Sequence, residues 1–343
     1  MNTYTELLKN GGNLPIGVDD GYDEVKVVLP DGECLRIPSH AKSGIDSSIS
    51  FGNEEKTIFS YKVEGKDYVA GKILEHDNTA SDDYPISNLN KVVVMHALRK
   101  ASLSEKHKLH ICTGLPLKKF YKRGKPNADL IKRKMENLKS KNITSQDDYS
   151  LPEIVNHQVL AEGLAAWFDY ITYFNSDGRI ERHNDKYQQR IAVIDIGGRT
   201  TDIVVIKNGA IDYERSSTID AGMLNIKEEV RELIRDELEV EINNEQMHTA
   251  INEGKVKLWG EWEDVQDIVA RAESIITTRI ESEAKHKLKN ASDIDVVLFV
   301  GGTVNKIKGK IYNWFRTQVI VEQPGFANAR GMQKYAQMLL ESE

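Results

Sequence analysis

The chain has 343 residues, 40% of them hydrophobic and 29% charged, with a net charge of −7. That length exceeds the usual single hydrophobic core and favours two lobes with a cleft between them. The composition excludes a disordered or fibrous class, and no apolar run reaches the roughly 18 residues that suggest a membrane span.

Two cysteines, Cys34 and Cys112, give neither a disulfide framework nor metal-ligand spacing. The N-terminus lacks the basic region and apolar core of a secretory signal, so a cytoplasmic location is expected. The first predicted element, Ile16-Gly-Val-Asp-Asp-Gly-Tyr-Asp-Glu-Val-Lys-Val-Val28, reads as strand, tight turn, strand, and the Pro30-Asp-Gly32 turn returns Cys34–Ile37 as a third strand. Between Pro38 and Asp83 a hairpin, Phe59–Val63 and Asp67–Ala70, sits among Ser-, Asp- and Asn-rich loops and reads as a small insertion subdomain. Asn88–Ala101 has helical composition and feeds the strand Lys108–Thr113.

A polar helix follows, with Asn127 as its expected N-cap and much of it expected to be exposed. Pro152–Tyr170 changes from strand-like to an apolar helix that would link two lobes, and a polar stretch, Asn175–Gln189, comes after it. Ile191-Ala-Val-Ile-Asp-Ile-Gly-Gly-Arg-Thr-Thr-Asp-Ile-Val-Val-Ile206 then repeats the strand, turn, strand pattern, and Lys207-Asn-Gly-Ala210 is a hairpin turn. Met223, Leu224, Ile226, Val230, Leu233, Ile234 and Leu238 fit one face of a helix, a stripe that is more often core than site. Helices are expected at Glu245–Asn252 and Val265–Lys289. Asp295-Val-Val-Leu-Phe-Val-Gly-Gly-Thr303 reads as a buried strand ending in a glycine pair. In the last helix, Phe326–Leu340, the small residues Ala327, Ala329 and Gly331 would permit close crossing of two connecting helices, a hinge for lobe closure.

The chemistry lies in the repeat. Each copy ends an apolar strand in a carboxylate, Asp19 or Asp195, followed by glycines, Gly21 or Gly197 and Gly198, where backbone bends sharply. Exposed N–H groups in such turns attract anionic oxygens, and two converging carboxylates can hold hydrated Mg²⁺ beside a polyphosphate. With the third segment at Gly301-Gly302, the set resembles the nucleotide-binding signature of the actin, sugar kinase and heat-shock ATPase superfamily: two phosphate loops and an adenosine loop. Within it, His110-Ile-Cys-Thr-Gly-Leu-Pro-Leu117, Phe120-Tyr121, Gly124-Lys-Pro-Asn127 and Ile131-Lys-Arg-Lys134 resemble the ParM/StbA family of actin-like plasmid segregation ATPases. Gly114 is one extra residue in that run. Two departures are Thr303, which stands where the family usually has a third glycine, and an extension, Met1–Asn13, which precedes the usual start.

The resemblance implies an α/β, actin-like fold: two lobes, each with a mixed sheet of duplicated topology, and a nucleotide in the interlobe cleft. The first lobe would comprise residues 14–160 plus 328–343, with an insertion at about 38–85. The second would comprise 161–327, with a small subdomain at about 222–274. ATP, with GTP left open, would be held by Asp20, Gly21, Tyr22 and Lys26, by Gly197, Gly198, Arg199, Thr200, Thr201 and Asp202, and by Gly222, Gly301, Gly302 and Thr303, with Mg²⁺ at Asp19 and Asp195. A lone lysine on a strand is usually solvated, but Lys26 follows a phosphate turn. Glu162, where a strand gives way to the first connecting helix, would orient the attacking water; Gln158, one turn earlier, is the rival. The implied function is a nucleotide-driven filament that segregates plasmid DNA, with self and a ParR-type adaptor on centromere DNA as partners, and neither nucleic acid nor membrane bound directly. A small-molecule kinase of the same superfamily is the alternative. The cluster Lys118-Lys119-Phe-Tyr-Lys122-Arg123-Gly-Lys125 reads as a solvated face or as an electrostatic contact with a partner.

Overall fold

A computed structural model of the chain describes residues 3–45, 57–73 and 75–342. Two mixed sheets form its frame. In the first, the order is Glu153–Ala161, His107–Leu115, Gly12–Asp20, Glu24–Val28, Cys34–Pro38. In the second it is Gln318–Ile320, Val296–Val300, Arg190–Ile196, Thr201–Lys207, Ala210–Ile211, with Ser217–Ile219 also paired to Thr201–Lys207. Each central strand has an antiparallel hairpin partner on one side and parallel strands on the other. The topology is duplicated, as the repeated strand-turn-strand pattern implied.

The central strands read as continuous apolar runs because both faces are covered. Ile191, Ala192, Val193, Ile194 and Ile196 are all fully buried, as are Ile203, Val204, Val205 and Ile206 opposite them. Full burial of each large aliphatic side chain contributes about 1.5–3 kcal/mol. Two helices lie between the sheets: Leu164–Ile171 packs on the second sheet, and Ala327–Leu340 on the first. They cross closely. A Cβ on Gly331 would stand 1.9 Å from the carbonyl oxygen of Ala165, and one on Gly17 would stand 1.9 Å from that of Ala329. Gly331 thus serves the helix crossing, whereas Ala329 meets the first sheet.

The insertion carries the expected hairpin, Ile58–Val63 with Lys66–Gly71, and Ala41–Ser43 adds an edge. Its fourth strand, Ile143–Ser145, comes from outside the expected 38–85 segment. The Ser-, Asp- and Asn-rich loops beside this hairpin fall partly outside the described residues. The second small subdomain holds the helices Met223–Leu238 and Asn244–Glu253 and a hairpin, Lys255–Leu258 with Glu261–Asp264. The N-terminal extension is a helix, Thr3–Asn10, whose Tyr4, Leu7 and Leu8 pack on the first core while the carbonyl of Leu8 lies 3.0 Å from Nε2 of His107. Among the described residues no helix is long and apolar enough to cross a membrane.

The polar helix, Ala128–Lys139, departs from expectation in two ways. Asn127 sits at its N-cap position, but its amide donates to the carbonyl of Lys119 instead of capping the helix. Lys134, on its inner face, is fully buried.

Candidate functional site

Three loops and one helix start meet in the cleft between the sheets. Strand Gly12–Asp20 delivers Asp19 to the cleft and then turns at Gly21, whose carbonyl accepts from the Ser39 hydroxyl at 2.7 Å. Lys26, on the returning strand, places Nζ 3.7 Å from Asp19 and 4.0 Å from Glu24. Burial opposes its charge, but Asp19, Glu24 and Asp23 outweigh it and raise its pKa. Strand Arg190–Ile196 delivers Asp195 in the same manner, and the turn after it closes through Gly197 N–H to the carbonyl of Thr200 at 2.9 Å. The two turns touch: a Cβ on Gly198 would lie 2.9 Å from that of Asp23.

The third loop closes against the second. Gly301 has φ +102°, and a Cβ there would meet the Ile196 carbonyl at 2.3 Å and Asp195 Oδ1 at 2.5 Å, so only glycine fits. Gly302 lies against Lys26, and the Thr303 hydroxyl donates to the Gly197 carbonyl at 2.7 Å. Thr303 is therefore a tie between two loops and does not line the cleft.

The cleft is lined by Asp19, Asp20, Gly21, Tyr22, Lys26, Glu162, Asp195, Gly197, Gly198, Arg199, Thr200, Gly301 and Gly302 of the expected set. Glu162 follows strand Glu153–Ala161, and its N–H donates to the Leu115 carbonyl at 2.8 Å. Next comes Gly163 at φ +73°, where a Cβ would press to 2.8 Å on Val204. The extra Gly114 makes room here, since a Cβ on it would lie 3.1 Å from Glu162 Oε1. Burial, then Asp19, Asp202 and Asp195, push the Glu162 carboxyl well above its usual range. Burial pushes Asp195 up to about 6 against the Asn328 amide that bonds it, and raises Asp19 against the pull of Lys26.

Other expected residues are placed differently. Gln158 pairs with Cys112 on the strand and does not line the cleft, because it lies four residues before Glu162, roughly 13 Å back along the strand. Asp20 lines the cleft, but its side chain is engaged: both oxygens accept from Lys134 Nζ, at 2.9 and 2.8 Å, and Oδ2 also accepts from Asn90 at 2.8 Å. Thr201 donates to the Ala221 carbonyl at 2.7 Å, and Gly222 packs under the second turn, where a Cβ would be 2.5 Å from the Gly197 carbonyl. Asp202 pairs with Asp195 across the strands and so shares its sheet face, but its side chain is engaged and does not line the cleft. It accepts from the Thr218 hydroxyl and from Leu117 N–H at 3.2 Å, and burial raises it to about 8. Of the basic cluster, Lys119 pairs with Asp82 at 3.2 Å, whereas Lys118, Lys122, Arg123 and Lys125 are exposed.

Sequence reasoning gave no role to Asn328, Lys134, Asn90 or Tyr84. Lys134 lay in the quoted Ile-Lys-Arg-Lys run, but only the fold shows that its partner is Asp20. The hydroxyl of Tyr22 is buried against the cleft without a hydrogen-bond partner among the described residues, whereas that of Tyr84 lies beside Ser39 and Asn90. A hydroxyl placed like that of Tyr22 is costly to leave unpaired and points to a polar ligand or water there.

Two family models match this chain. Residues 14–172 match "Plasmid segregation protein ParM, N-terminal", and residues 193–312 match "Archaeal actin homologue MreB-like, C-terminal". The chain is thus similar to the ParM/StbA family over its first part and to an archaeal actin homologue over its second. Among solved structures, a 15-stranded ParM filament from Clostridium botulinum is similar at 24% identity and a TM-score of 0.76, over 95% of this chain and 99% of that one. The archaeal actin homologue Ta0583 is similar at 19% identity and a TM-score of 0.73, over 94% and 98%, and its complex with ADP has a TM-score of 0.71. The actin-like protein Alp7A is similar at 14% identity and a TM-score of 0.70, over 96% and 98%. No curated protein sequence matches. The chain thus has the actin fold, with its three loops converging on one cleft.

Proposed function

We propose that the chain is a nucleoside triphosphatase that polymerises with bound nucleotide and segregates plasmid DNA, and that hydrolysis weakens the filament. The observation carrying this reading is the convergence of the two carboxylate turns, the glycine pair at Gly301-Gly302 and Glu162 on one cleft between sheets of duplicated topology. Turn N–H groups at Gly21 and Gly198 and the Lys26 ammonium suit phosphate oxygens. The backbone at Gly301 and Gly302, free of side chains, suits a flat base or ribose. The acid-rich lining fits a divalent cation: Asp19 and Asp195 are buried carboxylates that share Lys26, and Lys134, which also acts on Asp19, is already bonded to Asp20. Asp19 and Asp195 would hold Mg²⁺, which supplies charge neutralisation for the polyphosphate.

Hydrolysis through a loose transition state needs positioning more than covalent chemistry. Glu162, with a raised pKa, accepts a hydrogen bond from the attacking water and orients it, and the crowding of its acidic neighbours favours taking up a proton as the water attacks. Lobe closure is supported by ion pairs that bridge the cleft: Lys227 with Asp23 at 2.6 Å and Arg199 with Asp82 at 3.3 Å. Nucleotide contacts to both lobes would favour that closed form, and the closed form would favour assembly. Contact with centromere DNA would pass through a separate ParR-type adaptor, in keeping with the net charge of −7.

The test is right-angle light scattering and pelleting with Mg-ATP, Mg-GTP or no nucleotide. Assembly with a triphosphate, followed by decay as phosphate is released, is the expected result. Protein that stays in the supernatant while a sugar stimulates ATP consumption would assign it to the kinase class instead.

A further inference from the structure

We infer that Asn328 is a positioning residue that aligns the Asp195 carboxylate and the Glu162–Gly163 turn together. The inference rests on the hydrolysis reading above and deepens it. Asn328 lies in the first turn of the helix Ala327–Leu340 and is buried. Its Nδ2 donates to Asp195 Oδ2 at 2.6 Å, and its Oδ1 accepts from Gly163 N–H at 3.0 Å. Only one orientation of the amide satisfies both, because a carboxylate needs a donor and an N–H needs an acceptor. One side chain therefore joins the second-sheet carboxylate, the residue directly after Glu162, and the helix that packs on the first sheet.

The arrangement leaves little slack at any of the three corners. Gly163 is in the left-handed region with no room for a Cβ beside Val204, which fixes the peptide that follows Glu162. Asp195 is pressed on its other oxygen by Gly301, where a Cβ would stand 2.5 Å away. The crossing helix is held in place by Gly331 against Ala165 and by Gly17 against Ala329. A shift of this helix relative to the second sheet therefore moves Asp195 and Glu162 together. Asn328 does not itself meet the water or the γ-phosphate in this account; it acts through the two groups it bonds.

The test uses the full chain with Asn328→Ala and Asn328→Asp, each alone and combined with Glu162→Gln. The readouts are kcat and KM for ATP, thermal melting, and calorimetric ADP affinity with and without Mg²⁺. Asn328→Ala is expected to lower kcat about 10- to 100-fold, the range for a hydrogen bond to a charged group, with KM within about threefold. On a Glu162→Gln background it should cost clearly less than it does alone, because the share that acts through Glu162 is already lost. Asn328→Asp keeps the acceptor for Gly163 but sets a like charge on Asp195, so the Mg²⁺-dependent gain in ADP affinity should change at least about tenfold. Should Asn328→Ala fail to fold, Asn328→Asp and its combination with Glu162→Gln carry the test. The inference is overturned if the two kcat losses multiply, or if Asn328→Asp keeps the wild-type Mg²⁺-dependent gain. A wild-type chain that hydrolyses no triphosphate would sink the hydrolysis reading instead, and the ADP measurement would still test the bond to Asp195.

Discussion

Lys134→Met should destabilise the first lobe strongly. The Lys134 side chain is 1% exposed and its partner Asp20 is 2% exposed, so neither charge has water to fall back on. Nζ donates to both Asp20 oxygens and, at 2.6 Å, to the Gly114 carbonyl beside Glu162. Methionine fills the space of the stem but leaves the carboxylate with Asn90 as its only side-chain donor among the described residues and strips Gly114 of its bond. Breaking a buried ion pair by removing one partner costs about 3–5 kcal/mol. At about 2–4 °C per kcal/mol for a domain of this size, the melting temperature should fall by roughly 6–20 °C. Differential scanning fluorimetry without nucleotide reads this directly. Adding Asp20→Asn removes the stranded charge and should recover most of the loss. A fall of less than about 3 °C for Lys134→Met would refute the reasoning, since it would mean that solvent reaches Asp20 in the folded chain.

Glu162→Gln should slow hydrolysis by at least about 100-fold while ADP affinity stays within about threefold, giving filaments that persist; wild-type phosphate release from the variant would remove Glu162 from the mechanism. Gly331→Ala should cost about 3 kcal/mol or more in urea unfolding, because its Cβ would stand 1.9 Å from the backbone oxygen of Ala165 and force two helices apart; a loss under about 1 kcal/mol would show that the crossing is loose. The raised pKa of Asp202, about 8 against an ordinary 3.8, means that its contribution to stability is full below about pH 4 and is lost as pH rises toward 8. The nucleotide-free protein should therefore melt lower at about pH 8 than at about pH 5, and Asp202→Asn, which keeps a carbonyl acceptor for Leu117 N–H, should flatten that difference. An unchanged slope in the variant would assign the dependence to other groups.

The frame was legible wherever short-range pattern and long-range packing agree. The two strand-turn-strand copies and the buried strand before Gly301 are apolar runs punctuated by glycines, and they became the centres of the two sheets. Asn208 and Gly209, both at positive φ, made the hairpin turn that Asn-Gly announces. The side chains were less legible than the loops. Thr201 and Asp202 are neighbours on one strand and so face opposite ways: Thr201 turns onto Ala221, whereas Asp202 shares the face of Asp195, as Lys26 shares that of Asp19, but is held there by Thr218, a partner that spacing from the turn does not announce. Lys134 read as one of several lysines on a polar helix, because its partner Asp20 is 114 residues away. Asn328 gave no local signal either: its two bonds join segments that meet only when the lobes are assembled. The hairpin at Lys255–Asp264 was missed because its second strand, Glu-Trp-Glu-Asp, is exposed throughout and carries no apolar face.

The central claim is that nucleotide bound in the interlobe cleft drives assembly. The most direct measurement is sedimentation of the wild-type chain and of Glu162→Gln with Mg-ATP, alongside phosphate release, over a time course. The account predicts that both pellet at first, that wild type returns to the supernatant as phosphate appears, and that Glu162→Gln remains in the pellet. If neither pellets at any protein concentration with Mg-ATP or Mg-GTP, or if pelleting is independent of nucleotide, the claim is contradicted.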